Sequence, residues 1–174
     1  MFCYFVASCS IEALAYTAQG KHCWSYPDVV GYIKLNGVAV WRSSWCNKYP
    51  SYRGINIFLI DPYMCSVQEN RQFDTYASSS AANNLTNYLQ LVGDGVIIVG
   101  VSADEATGLL TNALPALLSL GVEVSDVQYR GSFGFVAQKG FPTKTALRKV
   151  LTEAESRTSP AHLGATVTGI HDLL

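Results

Sequence analysis

Apolar and polar positions along the chain predict strands of two kinds. The run VVGYIKLNGVAVWRS at 29–43 alternates on either side of Asn36-Gly37, the dipeptide that a type I′ turn prefers, and so predicts a hairpin. Residues 55–61 and 96–101 are nearly continuous apolar runs, which are typical of buried central strands. Further strands are predicted at 10–18, 71–78, 122–129 and 132–138.

The apolar spacing also predicts two main helices. The first covers residues 78–92, where apolar side chains recur at helical intervals. The second covers residues 102–121, and its start has capping-box spacing between Ser102 and Glu105. Pro115 should kink this helix or divide it in two, because proline removes a backbone donor and clashes with the preceding turn.

The order of these elements predicts the fold class. A strand-rich start followed by alternating helices and strands indicates an α/β (α+β) fold, a compact β-sandwich-like arrangement with a mixed sheet and two main helices. After residue 141 we expect a helix at 144–154 and then an irregular end. No repeat, linker or low-complexity tract divides the chain, so we expect a single domain over residues 1–174.

Charge argues against two classes of partner. Charged residues make up 14% of the 174 positions, and the formal net charge is -1. Proteins that capture nucleic acid or anionic membranes by charge carry an excess of lysine and arginine, which this chain lacks. Its apolar runs are also shorter than a membrane span. We therefore expect no nucleic-acid partner and no membrane segment.

The five cysteines leave the cellular compartment open. None forms a C-x-x-C pair, and the three histidines show no zinc-ligand spacing, so we expect no metal and no cofactor. In a secreted chain this number indicates one or two disulfides and an odd thiol that can bond a second chain. In a cytosolic chain all five would be reduced and buried as small apolar residues.

Two short motifs bear on secretion. The segment MFCYFVASCSIEALA ends in an A-x-A pattern at 13–15, as signal peptides do, but it lacks a basic start and contains Glu12. We expect it to contribute a strand instead. Asn84-Leu85-Thr86 is an N-glycosylation sequon, which supports secretion only weakly because such tripeptides arise often by chance.

The sequence contains no familiar catalytic motif. A P-loop, a G-x-S-x-G elbow, an H-E-x-x-H pair and a strand-linked G-x-G-x-x-G are all missing. Cys23 follows His22 directly, and neighbours on a strand point to opposite faces. Asp94 and Asp104 are candidates for a carboxylate pair, but a turn for Asp94 and the first turn of a helix for Asp104 account for them better. We therefore expect no catalysis.

Two arginines that precede glycines at strand starts are the candidate binding residues. They are Arg53, before Gly54, and Arg130, before Gly131. Arginine is always charged and donates in a planar fork, so with a carboxylate it can hydrogen-bond the hydroxyl and acetamido groups of a sugar. The alternative is a pair of salt bridges at the end of the sheet.

Several ordered motifs resemble one known family. They are RGINIFLIDP (53–62), QFDTYAS (72–78), GDGVIIVGVSADEATGLL (93–110), LLSLGVEV (117–124) and YRGSFGFVAQKG (129–140). Together they resemble the ILEI/PANDER-like domain, which occurs in interleukin-like inducers of the epithelial–mesenchymal transition and in the stem of protein O-mannose N-acetylglucosaminyltransferase. The similarity covers about residues 10–140. It implies a compact, sandwich-like, secreted or lumenal domain.

The resemblance also implies a sugar site. The transferase stem binds a terminal N-acetylglucosamine through two arginines and an aspartate, and the matching positions here carry Arg53, Asp104 and Arg130. The family's aspartate and tryptophan after the last arginine are replaced by Gly131 and Phe133. We expect Phe133, with Tyr129 beside it, to pack against the sugar ring or its methyl group.

The implied function is that of a secreted lectin for glycans ending in N-acetylglucosamine or N-acetylgalactosamine, oligomeric with itself or another chain. The alternative is a cytokine-like signalling factor, which an exposed apolar face from Trp24, Trp41 or Trp45 would favour. Family members carry disulfides near the N-terminus. Here Cys23 and Cys46 flank the hairpin and are the candidate pair, and any bond to another chain would come from Cys3, Cys9 or Cys65.

Overall fold

The computed structural model describes residues 8–16, 31–43, 52–141, 146–156 and 161–168. These form two sheets and a few short helices, so the predicted sandwich-like α/β fold is confirmed. The expected mixed sheet is wrong for the described strands, because all of them pair antiparallel. The first sheet has the order β3-β2-β1-β9 and the second the order β5-β4-β6-β7-β8. The strands are β1 (Ser8–Ala15), β2 (Gly31–Leu35), β3 (Val38–Ser43), β4 (Gly54–Asp61), β5 (Ser66–Phe73), β6 (Ile97–Ala103), β7 (Ser132–Gln138), β8 (Leu147–Leu151) and β9 (Ala161–Thr168). The helices are α1 (Ser79–Leu91), a 3-10 turn (Leu110–Ala113), α2 (Leu114–Ser119) and α3 (Glu153–Ser156).

The five-stranded sheet is the middle layer of the fold. One of its faces packs against the four-stranded sheet, where Phe58 and Val99 meet Ile11. Its other face packs against α1 and α2, where Ile57 and Leu85 belong to the same core. Strands buried on both faces need apolar side chains at almost every position, which explains the continuous apolar runs of β4 and β6.

The predicted hairpin turn and the predicted buried strand around Gly100 are both reproduced closely. Asn36 and Gly37 have φ angles of 49° and 80°, the left-handed conformation that a type I′ turn requires. The Asn36 side chain accepts a hydrogen bond from the Ser10 amide at 3.0 Å, so this turn also docks on β1. In β6, a Cβ on Gly100 would lie 2.2 Å from the Phe135 ring, so glycine makes room for that ring.

The predicted helix over 102–121 is mostly wrong. Strand β6 continues through Ala103, and helical structure begins only at Leu110. Ser102 is therefore no helix cap: its hydroxyl is buried in the sheet and accepts the Phe133 amide at 2.9 Å. Pro115 does mark a division, because it lies in the first turn of α2, where its missing donor costs nothing.

Two predictions for the C-terminal part are also wrong. Residues 122–129 form turns rather than a strand. The helix expected over 144–154 is replaced at 147–151 by β8, which pairs with β7. The expected irregular end contains β9, which pairs with β1 along eight residues. Strand β9 is stabilised by β1, which lies far away in the sequence, and β8 by β7, the preceding strand, and a local apolar pattern reveals neither pairing.

A disulfide joins the two sheets. Cys9 of β1 is bonded to Cys65, which lies in the turn between β4 and β5, with their Cα atoms 5.3 Å apart. The expectation that either cysteine bonds another chain is therefore wrong. Cys3, Cys23 and Cys46 lie outside the described residues. Among the described helices, none is both long enough and apolar enough to cross a membrane.

Replacing both Cys9 and Cys65 with alanine should lower the free energy of unfolding by about 4 kcal/mol, because the bond spans 56 positions and restricts the unfolded chain. Urea unfolding of the double variant and the wild type measures the difference. Ser66→Ala, an exposed change beside Cys65, is the control and should be neutral. Equal unfolding midpoints for the double variant and the wild type would contradict this expectation.

Candidate functional site

The candidate site lies at one end of the five-stranded sheet. Because β4 runs antiparallel to both β5 and β6, the start of β4 and the ends of its two neighbours meet there, with Gly54 opposite Ala103. The start of β7 joins them, since it is antiparallel to β6. The sheet therefore brings Arg53, Asp104 and Arg130, which are separated in sequence, to the same end of its strands.

Arg53 forms the tightest ion pair of the site, with a residue that sequence reasoning missed. Its Nε lies 3.0 Å from Oδ1 of Asp74 and its Nη2 lies 2.7 Å from Oδ2, a bidentate arrangement. Asp74 directly follows β5. Gly54 allows this approach: its φ is +98°, and a Cβ there would lie 2.1 Å from the Phe73 carbonyl oxygen. The glycine after Arg53 is therefore required by the backbone conformation and by the close approach of the Phe73 carbonyl.

Arg130 and Asp104 face each other as the second pair. The Arg130 Nη1 atom lies 3.7 Å from Oδ1 of Asp104, and the two side chains are 24% and 12% exposed. Both residues have left-handed backbones, with φ angles of 59° and 58°. Non-glycine residues rarely adopt this conformation, and it is concentrated at functional sites. Asp104 therefore follows β6 in a strained turn. The sequence had suggested that it lies in the first turn of a helix, and this prediction is wrong.

The buried carboxylate of Glu105 holds the two halves of this pair in place. It accepts the backbone N–H of Arg130. It also accepts both the N–H and the hydroxyl of Thr107, at 2.5 Å and 2.6 Å. The loop after β6 is thereby tied to the loop before β7. The predicted capping role of Glu105 is wrong, because no helix begins there.

Two tyrosines connect the ion pairs. The Arg53 guanidinium lies over the Tyr76 ring, 4.8 Å from its centroid, and Arg130 lies over the Tyr129 ring at 5.3 Å. A hydrogen bond with Tyr129 raises the pKa of Tyr76. Tyr129 is 52% exposed and Tyr76 is 37% exposed, so both rings reach solvent. Tyr76 was also missed, although it lies inside the quoted motif QFDTYAS.

Phe133 does not belong to this surface. Its side chain is 0% exposed and lies in the core beneath α1, so the expectation that it packs against a sugar is wrong. The alternation of β7 turns Phe133 to the helix side of the sheet, which its sequence neighbours could not show. Tyr129 and Tyr76 provide the accessible aromatic surface instead.

Two other candidate features are not formed by the residues that the structure describes. Trp41 is buried, with its ring 5.3 Å from that of Phe58, and so offers no apolar face. Trp24 and Trp45 lie outside the described residues. Asp94 lies beside Gly140, at the opposite end of β6 and β7 from Asp104. In the described ranges, no three acidic, histidine or cysteine side chains are grouped to hold a metal ion.

The ion pairing keeps the site charged. Burial by itself would raise the pKa of Asp74, but hydrogen bonds from Arg53 and from the Ala77 amide outweigh it and lower that pKa. The same hydrogen bond raises the pKa of Arg53, and the nearby charge of Asp104 adds to this effect. The site therefore presents two cations, two carboxylates and two exposed rings.

The site lies inside a region that is shared with known proteins. A family model described as Interleukin-like EMT inducer matches residues 53–141, just over half of the 174-residue chain. The chain therefore belongs to the ILEI family. It is also similar to the cell migration-inducing and hyaluronan-binding proteins of Mus musculus and Homo sapiens, with 30% and 31% identity over 96 residues. That segment is 54% of this chain but only 7% of each relative.

The stability that Asp74 provides should depend on pH. A lowered pKa means that pairing with Arg53 stabilises the fold above the ordinary value of 3.8 and that this contribution is lost as the pH falls through the folded-state pKa. We expect the wild type to be more stable than Asp74→Asn at neutral pH, and the two to converge in acid. Urea unfolding at a series of pH values measures this.

Asp126→Asn is the matched control for that series. Asp126 pairs with Arg148 at 2.9 Å, but its side chain is 56% exposed, so solvent should screen its contribution. A difference between wild type and Asp74→Asn that stays constant from neutral to acid pH would show that the Asp74 charge does not stabilise the fold.

Proposed function

We propose that this chain is a secreted carbohydrate-binding domain that recognises glycans ending in N-acetylglucosamine or N-acetylgalactosamine, without catalysis. The proposal rests on one observation: two arginine–aspartate pairs and two exposed tyrosine rings lie together at one end of the five-stranded sheet. Buried salt bridges alone would not require aromatic rings at the surface. Sugar sites combine charged hydrogen-bonding groups with an aromatic face.

The polar groups match the chemistry of a sugar. A hydroxyl donates and accepts at once, so one hydroxyl can bond a carboxylate such as Asp104 and an arginine such as Arg130 together. Arg53 uses Nε and Nη2 for Asp74, and a guanidinium has five N–H donors in all. The remaining donors can serve a ligand.

The aromatic groups support an acetamido sugar. Its methyl group and the apolar face of its ring can pack on Tyr129 and Tyr76, while its amide N–H and carbonyl pair with a carboxylate and an arginine. Two relatives bind hyaluronan according to their names, and hyaluronan contains N-acetylglucosamine. This analogy supports the class of sugar. It rests on the matched segment and not on the whole of each relative.

The pairing of the carboxylates with arginines supports the proposal that the domain is not catalytic. Glycosidases use one carboxylic acid whose pKa is raised so that it can protonate the leaving group. Here Arg53 lowers the pKa of Asp74 instead, and Asp104 faces Arg130. These groups are suited to binding a sugar rather than to donating a proton to a leaving group.

Secretion is supported by two independent features. The Cys9–Cys65 bond is of a kind that persists in oxidising compartments. The ILEI family includes proteins that are described as interleukin-like.

The first experiment is a calorimetric titration with N-acetylglucosamine, N-acetylgalactosamine and galactose. We expect saturable binding of the acetamido sugars. Arg130→Ala and Asp104→Asn should each weaken it by about tenfold to a hundredfold, because a hydrogen bond to a charged group contributes about 1.5–3 kcal/mol. Asparagine tolerates the left-handed backbone of position 104, so the fold should persist.

Arg148→Ala is the control for that titration. It removes another arginine of an arginine–aspartate pair, 2.9 Å from Asp126 and away from the site, and should leave sugar binding unchanged. If no sugar binds the wild type, the lectin proposal is wrong. A signalling factor that binds a receptor protein then becomes the leading explanation.

We also propose that the domain forms disulfide-linked oligomers. With Cys9 and Cys65 paired, three of the five cysteines are left, an odd number. If Cys23 and Cys46 bond each other, Cys3 is available to a second chain. A non-reducing gel of the wild type should show a dimer that Cys3→Ser abolishes, whereas a dimer that persists in Cys3→Ser would rule out this linkage.

A further inference from the structure

A groove of about 610 Å³ runs between the edge strand β5 and helix α1. Glu69 and Arg71 line its strand side, while Asn84, Asn87 and Leu91 line its helix side. The Tyr88 ring is buried beneath Arg71, whose guanidinium lies 4.7 Å from the ring centroid. Amide side chains beside a paired arginine and carboxylate form a surface of hydrogen-bond donors and acceptors to which sugars can bind.

The groove is continuous with the candidate site. Asp74 lines one end of it and also holds the Arg53 guanidinium. Gln72, another lining residue, donates from Nε2 to the Arg53 carbonyl at 2.8 Å. The lining positions on α1 extend from Ala81 to Leu91, a rise of about 15 Å along the helix. A ligand that leaves the site past Asp74 therefore enters an elongated channel.

The charges along this path balance. Glu69 and Arg71 pair with each other at 2.5 Å in the groove. In the site, Arg53 pairs with Asp74 and Arg130 faces Asp104. Among the described residues of the site and the groove, three cations thus lie beside three carboxylates, and each of these cations has an acidic partner. A polyanion would gain little from such a surface, whereas an uncharged glycan would find many donors and acceptors.

We propose that the groove binds the sugars next to the terminal residue, so that the domain binds an uncharged oligosaccharide more tightly than a single sugar or a uronate-containing chain of similar length. This inference rests on the proposed sugar site. The terminal acetamido sugar occupies the Arg53, Asp104 and Arg130 region, and the chain continues past Asp74 between β5 and α1.

The test compares ligands of different length and charge on the whole chain. Protein from a bacterial periplasm forms the Cys9–Cys65 bond and carries no glycan at Asn84, which lines the groove. N-acetylglucosamine, its uncharged β-linked trimer and a hyaluronan tetrasaccharide are titrated by calorimetry. We expect the trimer to bind about tenfold more tightly than the monosaccharide, and the hyaluronan fragment to gain no such advantage.

A blocking variant locates the effect. Asn87→Trp fills the groove from an exposed position on α1, so the trimer should lose its advantage while the monosaccharide binds as before. Gln90→Trp is the matched control: it is exposed on the same helix but does not line the groove, and it should behave as wild type. Unchanged monosaccharide binding shows that each variant is folded.

The outcomes separate this inference from the proposed function. No binding of the monosaccharide overturns the sugar site and the groove together. Monosaccharide binding with no gain for the trimer, or a gain that Asn87→Trp leaves intact, overturns the groove alone. The remaining outcome is a hyaluronan fragment that binds more tightly than the trimer and loses that affinity in Asn87→Trp. This result would show that the groove binds acidic glycans, and it would overturn the proposal that the ligand is uncharged.

Discussion

Burial of the five-stranded sheet on both faces is the constraint on which the rest of the structure depends. Its central strands carry apolar side chains in both directions, with Ile57 and Leu59 toward the helices and Phe58 and Ile60 toward the other sheet. Apolar surface of this extent is stable only when both faces are covered, since each square ångström removed from water contributes about 25 cal/mol. The four-stranded sheet supplies one cover and α1 with α2 the other. The Cys9–Cys65 bond ties the first cover to the middle layer.

This buried layer positions the candidate site. Antiparallel pairing sends the ends of β5 and β6 and the starts of β4 and β7 to one edge, where polar residues can leave the core. The loops there stay ordered because buried groups anchor them, above all Glu105, which accepts the Arg130 amide. The strained backbone conformations of Asp104 and Arg130 persist because the surrounding structure holds them in place. The core and the site are thus parts of one arrangement.

The same layer accounts for the aromatic surface of the site. Phe133 is buried, as is every residue of β7, whereas Tyr129, which precedes that strand, is exposed beside Tyr76. Helix α1 begins a few residues after Tyr76 and runs back along β5, which creates the groove next to Asp74. The site and the groove therefore share one wall, and a ligand that contacts one is positioned to contact the other.

Local rules determined the parts of this protein that depend on near neighbours. The Asn36-Gly37 hairpin, the buried strands β4, β6 and β7 and the first helix followed from turn chemistry and apolar period. Family motifs pointed to Arg53, Asp104 and Arg130. The tertiary structure alone decided that Cys9 meets Cys65, that Asp74 pairs with Arg53, that Phe133 is buried, and that residues 147–151 and 161–168 are strands. Each of these depends on partners distant in sequence, whose contact is set by how whole strands and sheets pack and is not encoded in any short stretch of the chain.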